Sequence, residues 1–224
     1  KIARLIEFLA EEEEERFYSP GPWVVEGKIV LATQTGYAPK WKNKITWIPP
    51  EGDERVKEAL EAIRNMVLAY KNPRRASLVL SYAGIAYLAE YIKSVTRHMP
   101  HLVIHGLEHT GKSALIDLIR ELYGISWYET LPDSDYTARK ALSESTLPAL
   151  YDEARKIFNQ YFSGDRNAVG AMEIIMKAVS QDLLRISGGA SYGGTFIAIR
   201  TLIMATNQEL RLPTWILDKF ISVR

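Results

Sequence analysis

The sequence predicts an α/β fold, a central parallel sheet layered between helices and preceded by a small β element and a helical pair. Three stretches carry that expectation. Residues 101–119, HLVIHGLEHTGKSALIDLI, run from an apolar stretch through a loop bounded by glycines into apolar residues at helical spacing, the order strand, phosphate loop, helix. Residues 147–153, LPALYDE, are an apolar run that ends in two acids, and residues 202–207, LIMATN, are an apolar run that ends in Thr-Asn. Ligands of parallel α/β sheets bind at the carboxyl ends of strands, so chemistry is expected where these three runs stop.

Composition narrows the rest. The 224 residues suffice for one large or two small domains with an apolar core. A net charge of +1 does not by itself advertise a nucleic-acid partner, so any basic surface must be local. The absence of cysteine excludes disulfides, thiolate zinc sites and cysteine nucleophiles, and is compatible with a cytoplasmic location. No signal peptide stands out. The longest nearly apolar run, residues 76–89, is too short to span a bilayer, so no membrane partner is expected. The chain lacks an initiating Met and stops at Arg224 inside an apolar run, which suggests a piece of a longer polypeptide.

In chain order, Ile2, Leu5, Ile6 and Leu9 recur at helical spacing ahead of glutamates at 11–15, the tail of a helix with a solvated acidic end. Between Pro20 and Pro50 the segments WVVEGKIVLAT and WKNKITWIP are rich in β-branched and aromatic residues, with Glu26 and Gly27 as a hairpin turn. There Tyr37, Lys40, Trp41, Lys42, Lys44 and Trp47 interleave aromatics with cations, a composition that stacks bases and tracks phosphates. The simpler account is a solvated hairpin with its tryptophans packed inward. Val56, Leu60, Ile63 and Val67 mark a helix over residues 53–71. Asn72 caps a second helix from Pro73, with Leu78, Tyr82, Ile85, Leu88, Ile92 and Val95 on its core face. Pro100 ends it, and a domain boundary is expected there, between an N-terminal α+β region (1–100) and a nucleotide-binding core (101–224).

The loop formed by Gly106, Leu107, Glu108, His109, Thr110, Gly111, Lys112 and Ser113 suits the phosphates of ATP. Glycines let successive backbone N–H groups turn inward around phosphate oxygens, and the helix that starts near Gly111 adds the positive end of its dipole. Lys112 can reach the β- and γ-phosphates, and the Ser113 hydroxyl can ligate Mg²⁺. Beyond Gly124, residues 125–130 read as a strand and 135–143 as a helix. After LPALYDE come helical segments over 154–162 and 167–184. Asp152, at the end of its run, can hold the water shell of Mg²⁺, while Glu153 can orient and deprotonate the attacking water. Two further apolar runs flank residues 188–194, GGASYGG, as in a hairpin, and the second leads toward Asn207. That amide can hydrogen-bond the γ-phosphate or the water without adding charge. Residues 210–224 read as a short helix and a strand start, with Arg211, Lys219 and Arg224 as cations able to serve a neighbouring subunit's nucleotide.

Together GLEHTGKS, LPALYDE, the glycine-rich hairpin, TLIMATN and LDKF resemble an AAA+ ATPase, and within it the branch with a β-hairpin before the sensor-1 strand: superfamily 3 and poxvirus- or phage-type primase–helicases and minichromosome maintenance helicases. The resemblance covers about residues 101–224. It implies a P-loop NTPase fold of three αβα layers and a hexameric, ring-forming, ATP-driven helicase or translocase on single-stranded DNA in replication. It further implies that Lys112 and Ser113 bind phosphates and Mg²⁺, that Asp152 and Glu153 are the acids of the second motif, and that Asn207 is sensor 1. The family's hairpin grips single-stranded nucleic acid, usually through a lysine or other polar tip residue; here the tip offers Ser191 and Tyr192, of which Tyr192 can stack on a base. An arginine finger occurs in a motif similar to LDKF, where this chain has Lys219; Lys219 as a point charge, Arg211 or Arg224 are the candidates for that role. The family's C-terminal helical lid is expected beyond Arg224.

Two other interpretations compete. His105-Gly-Leu-Glu108-His109 matches the H-x-x-E-H pattern of zinc peptidases, but Gly106 follows His105 at a strand end, and the phosphate loop explains the same residues better. The stronger alternative is a P-loop ATPase that does not unwind nucleic acid, such as a signalling switch, a remodeller or a packaging motor. The hairpin alone separates it from a helicase.

Overall fold

The first described elements, in the computed structural model, are the antiparallel strands β1 (Gly21–Val25) and β2 (Lys28–Ala32), which pair Trp23 with Val30. The structure describes residues 21–25, 28–32, 53–125, 129–143, 145–180, 183–185 and 195–224. The acidic helix, the turn at 26–27, the aromatic and cationic segment at 37–47 and the tip at 188–194 lie outside them. Three helices follow, α1 (Asp53–Ala69), α2 (Pro73–Ala86) and α3 (Ala89–Thr96). Then come β3 (His101–His105), α4 (Lys112–Leu122), α5 (Asp135–Ser143), β4 (Ala149–Tyr151), α6 (Arg155–Phe162) and α7 (Arg166–Ala178). A second antiparallel pair, β5 (Leu183–Arg185) and β6 (Thr195–Ile197), precedes β7 (Leu202–Thr206), α8 (Thr214–Leu217) and β8 (Phe220–Val223).

The expected α/β class is borne out by a four-stranded, all-parallel sheet in the order β4-β7-β3-β8. β3 and β7 are buried along their whole lengths, as befits strands covered on both faces. Alternate residues settle the two layers. Leu102 and Ile104 of β3, with Ile203 and Ala205 of β7, share a core with α1 to α4. Val103, with Leu202 and Met204, packs against α5 to α8. Each fully buried aliphatic side chain such as Ile116, Ile119 or Ile175 contributes about 1.5–3 kcal/mol. The result is a three-layer α/β arrangement, with the strand–loop–helix unit at its centre. The boundary expected near Pro100 falls between α3 and β3, and side chains from both sides of it, Val79 and Leu102 among them, enter one continuous core.

The helical pair differs from its sequence pattern. The second helix is two, because Leu88 N bonds Ile85 O in a three-residue turn and the chain restarts at Ala89. The buried stripe is also not the expected one. Tyr82 is buried as predicted, but Leu78, Ile85 and Val95 are 48, 47 and 66% exposed, and the core side carries Ala76, Val79, Ala83, Ala86 and Ala89. Small residues let α2 lie close to β3 and α4, and closeness outweighs the larger area of the leucines. α7 ends at Ala178, so Leu183 and Leu184 belong to β5 and not to that helix.

Buried polar groups lock the route into β7. Arg200 is fully buried; its Nε donates to Leu147 O at 2.7 Å, its Nη1 to Ala141 O at 3.0 Å, and its guanidinium spans both carboxylate oxygens of Glu129. His101 accepts Leu202 N–H at Nδ1, 3.1 Å, and donates from Nε2 to Ile175 O, 2.8 Å. Among the described residues no helix is long and apolar enough to cross a membrane.

Candidate functional site

Three chain segments converge at the carboxyl end of the sheet. The first is the loop between β3 and α4, where Gly106 and Gly111 take φ of +137° and +85°, values that side chains avoid. Gly111 is the left-handed N-cap of α4 and offers no side chain to the first-turn N–H groups, which stay available to an anion. Lys112, only 6% exposed, curls back over the loop and donates to Leu107 O at 2.5 Å and Thr110 Oγ1 at 3.1 Å. Burial lowers its pKa, while Glu108, Glu153 and Asp152 act in the opposite direction, which puts those acids within electrostatic reach of the ammonium. Ser113 is exposed on the first turn of α4.

The second and third segments are the ends of β4 and β7. Because β7 lies between β3 and β4, its end emerges between the loop and the two acids. Ala154 N donates to Ala205 O at 2.8 Å and fastens the turn after β4 to β7. Glu153 therefore meets Asn207: the amide Nδ2 donates to Glu153 Oε2 at 3.2 Å, and Arg155 N donates to Oε1 at 3.0 Å. Asp152 is different. Its Oδ1 is buried and has no hydrogen-bond partner among the described residues, a situation that costs about 1–3 kcal/mol unless something else satisfies it. An orphaned carboxylate oxygen near a hydroxyl-bearing helix start has the chemistry of a hard, oxygen-preferring cation site, and so fits Mg²⁺. Among the described residues no group of three His, Cys, Asp or Glu is arranged to hold a metal, so a zinc-type site finds no support.

His105 explains why the peptidase pattern misleads. Its Nδ1 accepts Leu210 N–H at 3.2 Å, which leaves the proton on Nε2 to face Ser222 Oγ at 2.8 Å. Both nitrogens tie the end of β3 to its neighbours, and burial lowers the ring's pKa. His109 sits in the loop at φ 58°.

The candidate cations lie far apart. Lys219 precedes β8, where its carbonyl accepts His101 N–H at 2.9 Å, so it stands at the amino end of the sheet, opposite its own chain's loop; it pairs with Asp218 at 2.8 Å. Arg224 follows β8 at the carboxyl end. It pairs with Glu209 at 2.8 Å, and its Cγ lies 3.9 Å from where a Cβ on Gly106 would be. Arg211 is exposed. Ser191 and Tyr192 lie outside the described residues.

One wall of the site is not signalled by any motif. A cavity of about 770 Å³ opens between the loop and the corner where α1 meets α2, lined there by Tyr70 and Arg75. Tyr70 Oη donates to Gly111 O at 3.2 Å, and its ring occupies the space a side chain at 111 would need. Arg75 Nη1 donates to Arg224 O. Nothing in the spacing of residues 69–76 announces either contact, since both depend on chain brought back from far along the sequence.

No family model and no curated protein matches this chain. Among solved structures, the A-form apo structure of the NrS-1 C-terminal region aligns with 99% of the chain at 14% identity and a TM-score of 0.40. The chain spans about half of that structure, 51% of its length.

Proposed function

We propose that this chain is the ATP-hydrolysing core of an AAA+ type motor, a ring-forming replicative helicase or translocase acting on single-stranded DNA. The observation that carries the hydrolytic part is the Glu153–Asn207 contact at the end of β7, beside the loop that holds Lys112. Glu153 is the base that orients and deprotonates water. The neutral Asn207 amide and Arg155 N–H fix the orientation of its carboxylate without withdrawing it into an ion pair. Lys112 exchanges its contact with Leu107 O for a terminal phosphate oxygen, and the first-turn amides of α4 hold the chain of phosphates in line. Ser113 and Asp152 would hold Mg²⁺, which when bound neutralises charge on the β- and γ-phosphate oxygens.

The motor part rests on the resemblance to the hairpin-bearing AAA+ branch and on one feature of topology. The β5–β6 pair frames residues 186–194 and runs within a few residues into β7, so a load on the hairpin reaches the strand that ends in Asn207. In a hexameric ring the finger comes from a neighbour. Lys219 stands away from its own loop, whereas Arg224 sits beside its own Gly106, so the geometry favours Lys219 over Arg224 for that role.

The test is ATP turnover by the protein, with and without single-stranded DNA, over a range of salt. Stimulation by DNA, weakened by Tyr192→Ala, is the expected result. Turnover without stimulation at any salt would make the protein a non-helicase ATPase. Absence of Mg²⁺-dependent turnover would refute the hydrolytic part as well.

A further inference from the structure

The chain leaves α7 at Ala178, forms the β5–β6 pair, and returns to the core at Ala198. Both roots of that hairpin are buried, so water does not serve their carbonyls: Ala178, Val179 and Ala198 are at most 1% exposed. The last carbonyls of a helix have no partner within it and need donors from elsewhere. Here the stretch from α3 to β3 supplies them. His101 Nε2 faces Ile175 O at 2.8 Å, Lys93 Nζ donates to Ala178 O at 3.3 Å, and Met99 N donates to Val179 O at 2.9 Å. Of these three residues Lys93 does more, because its ammonium also donates to Ala198 O on the returning side. A side chain only 2% exposed thus joins the two ends of the hairpin through one nitrogen. An ammonium has three donors, which lets it hold two carbonyls at once where an apolar side chain of the same length would leave both unsatisfied.

We infer that Lys93 is a positioning residue of the β5–β6 hairpin, a clamp supplied by α3 that fixes the two roots against each other and so sets how the hairpin stands on the sheet. Its consequence for nucleic acid rests on the hairpin role proposed above. A hairpin free to pivot at its roots must be ordered when it engages a strand, and affinity for that strand falls accordingly. Turnover without DNA is not touched, since Lys93 stands on α3 and the hairpin roots, away from Lys112, Glu153 and Asn207.

The experiment compares the 224-residue chain with Lys93→Met, which keeps length and loses the donors, by amide hydrogen exchange and by ATP turnover over a titration of single-stranded DNA. Loss of two buried hydrogen bonds at one place predicts exchange about tenfold or more faster in β5 and β6, with α4 and β3 unchanged. The DNA concentration for half-maximal stimulation is expected to rise severalfold while turnover without DNA stays the same. If Lys93→Met does not fold, Lys93→Gln, which keeps a shorter donor, carries the same comparison. Unchanged exchange in β5 and β6 overturns the inference. Exchange that rises equally throughout the chain also overturns it, because Lys93 would then serve overall stability alone, and so does a matching fall in turnover without DNA. If DNA does not stimulate the unaltered chain, the helicase proposal fails, and the exchange comparison still decides whether Lys93 holds the hairpin.

Discussion

Replacing Gly111 with alanine adds one methyl group at the N-cap of α4, and the surroundings set its cost. The backbone there has φ +85° and ψ 13°, where an L side chain costs about 1–2 kcal/mol. The new Cβ would stand 2.7 Å from Tyr70 Cε1, well inside the roughly 3.5–4.0 Å optimum between carbons. Tyr70 must therefore tilt away, and its hydrogen bond to Gly111 O goes with it, a further loss of about 1 kcal/mol. Together these give a destabilisation of about 2–4 kcal/mol. A double-mutant cycle separates the two parts. In a Tyr70→Ala background only the backbone strain remains, so Gly111→Ala costs about 1–2 kcal/mol there, and the coupling between the two sites is about 1–2 kcal/mol. Urea unfolding followed by tryptophan fluorescence measures all four proteins. Equal costs of Gly111→Ala in both backgrounds would refute the claim that Tyr70 packs under the loop and would leave the glycine explained by its φ alone.

Three further outcomes are expected. Glu153→Gln keeps ATP affinity while turnover falls about a hundredfold or more, as removal of a general base does; isothermal binding beside a phosphate-release assay checks this, and lost binding would make Glu153 structural. Asn207→Ala frees one oxygen of Glu153 and lowers kcat by about tenfold to a hundredfold with little change in KM, so a variant that changed KM alone would show that Asn207 holds nucleotide and not the base. His101 is held neutral by burial, its pKa lowered from 6.5 to about 4. The folded value lies below the unfolded one, so the unfolded chain takes up the proton first: this contribution is complete above pH 6.5, shrinks as pH falls, and has lost about 3 kcal/mol by the time pH passes 4. Urea midpoints from neutral pH down to about 4 should therefore fall more steeply for the unaltered chain than for His101→Gln, and identical slopes would contradict the buried, neutral assignment.

Much of the site is written locally. The loop from Gly106 to Ser113, the acids after β4, Asn207 after β7, and α5 at Asp135–Ser143 all stand where spacing predicts them, because each depends on residues within a few positions of one another. The helical pair shows where that local logic stops. Its leucine and isoleucine stripe is a sound helical pattern, yet Leu78 and Ile85 face outward and the alanines face in. Periodicity identifies a helix; which face is covered depends on how close the neighbouring layer comes.

The residue types and their order were enough to establish an α/β chain with a glycine-bounded loop, two acids and an amide at strand ends, since strand, turn and helix tendencies act over a few residues. Sheet order was beyond them. That β7 enters between β3 and β4, so that Asn207 reaches Glu153 across 54 residues, is a matter of which buried faces fit. The same holds for Tyr70 beneath Gly111, 41 residues away, and for Arg75 on Arg224 O, 149 residues away. It holds as well for Lys219 and Arg224, which lie close in sequence but at opposite ends of one strand. These contacts arise when two layers close on a common sheet, and the free energy that selects them is burial summed over the whole core, which no short window of sequence contains.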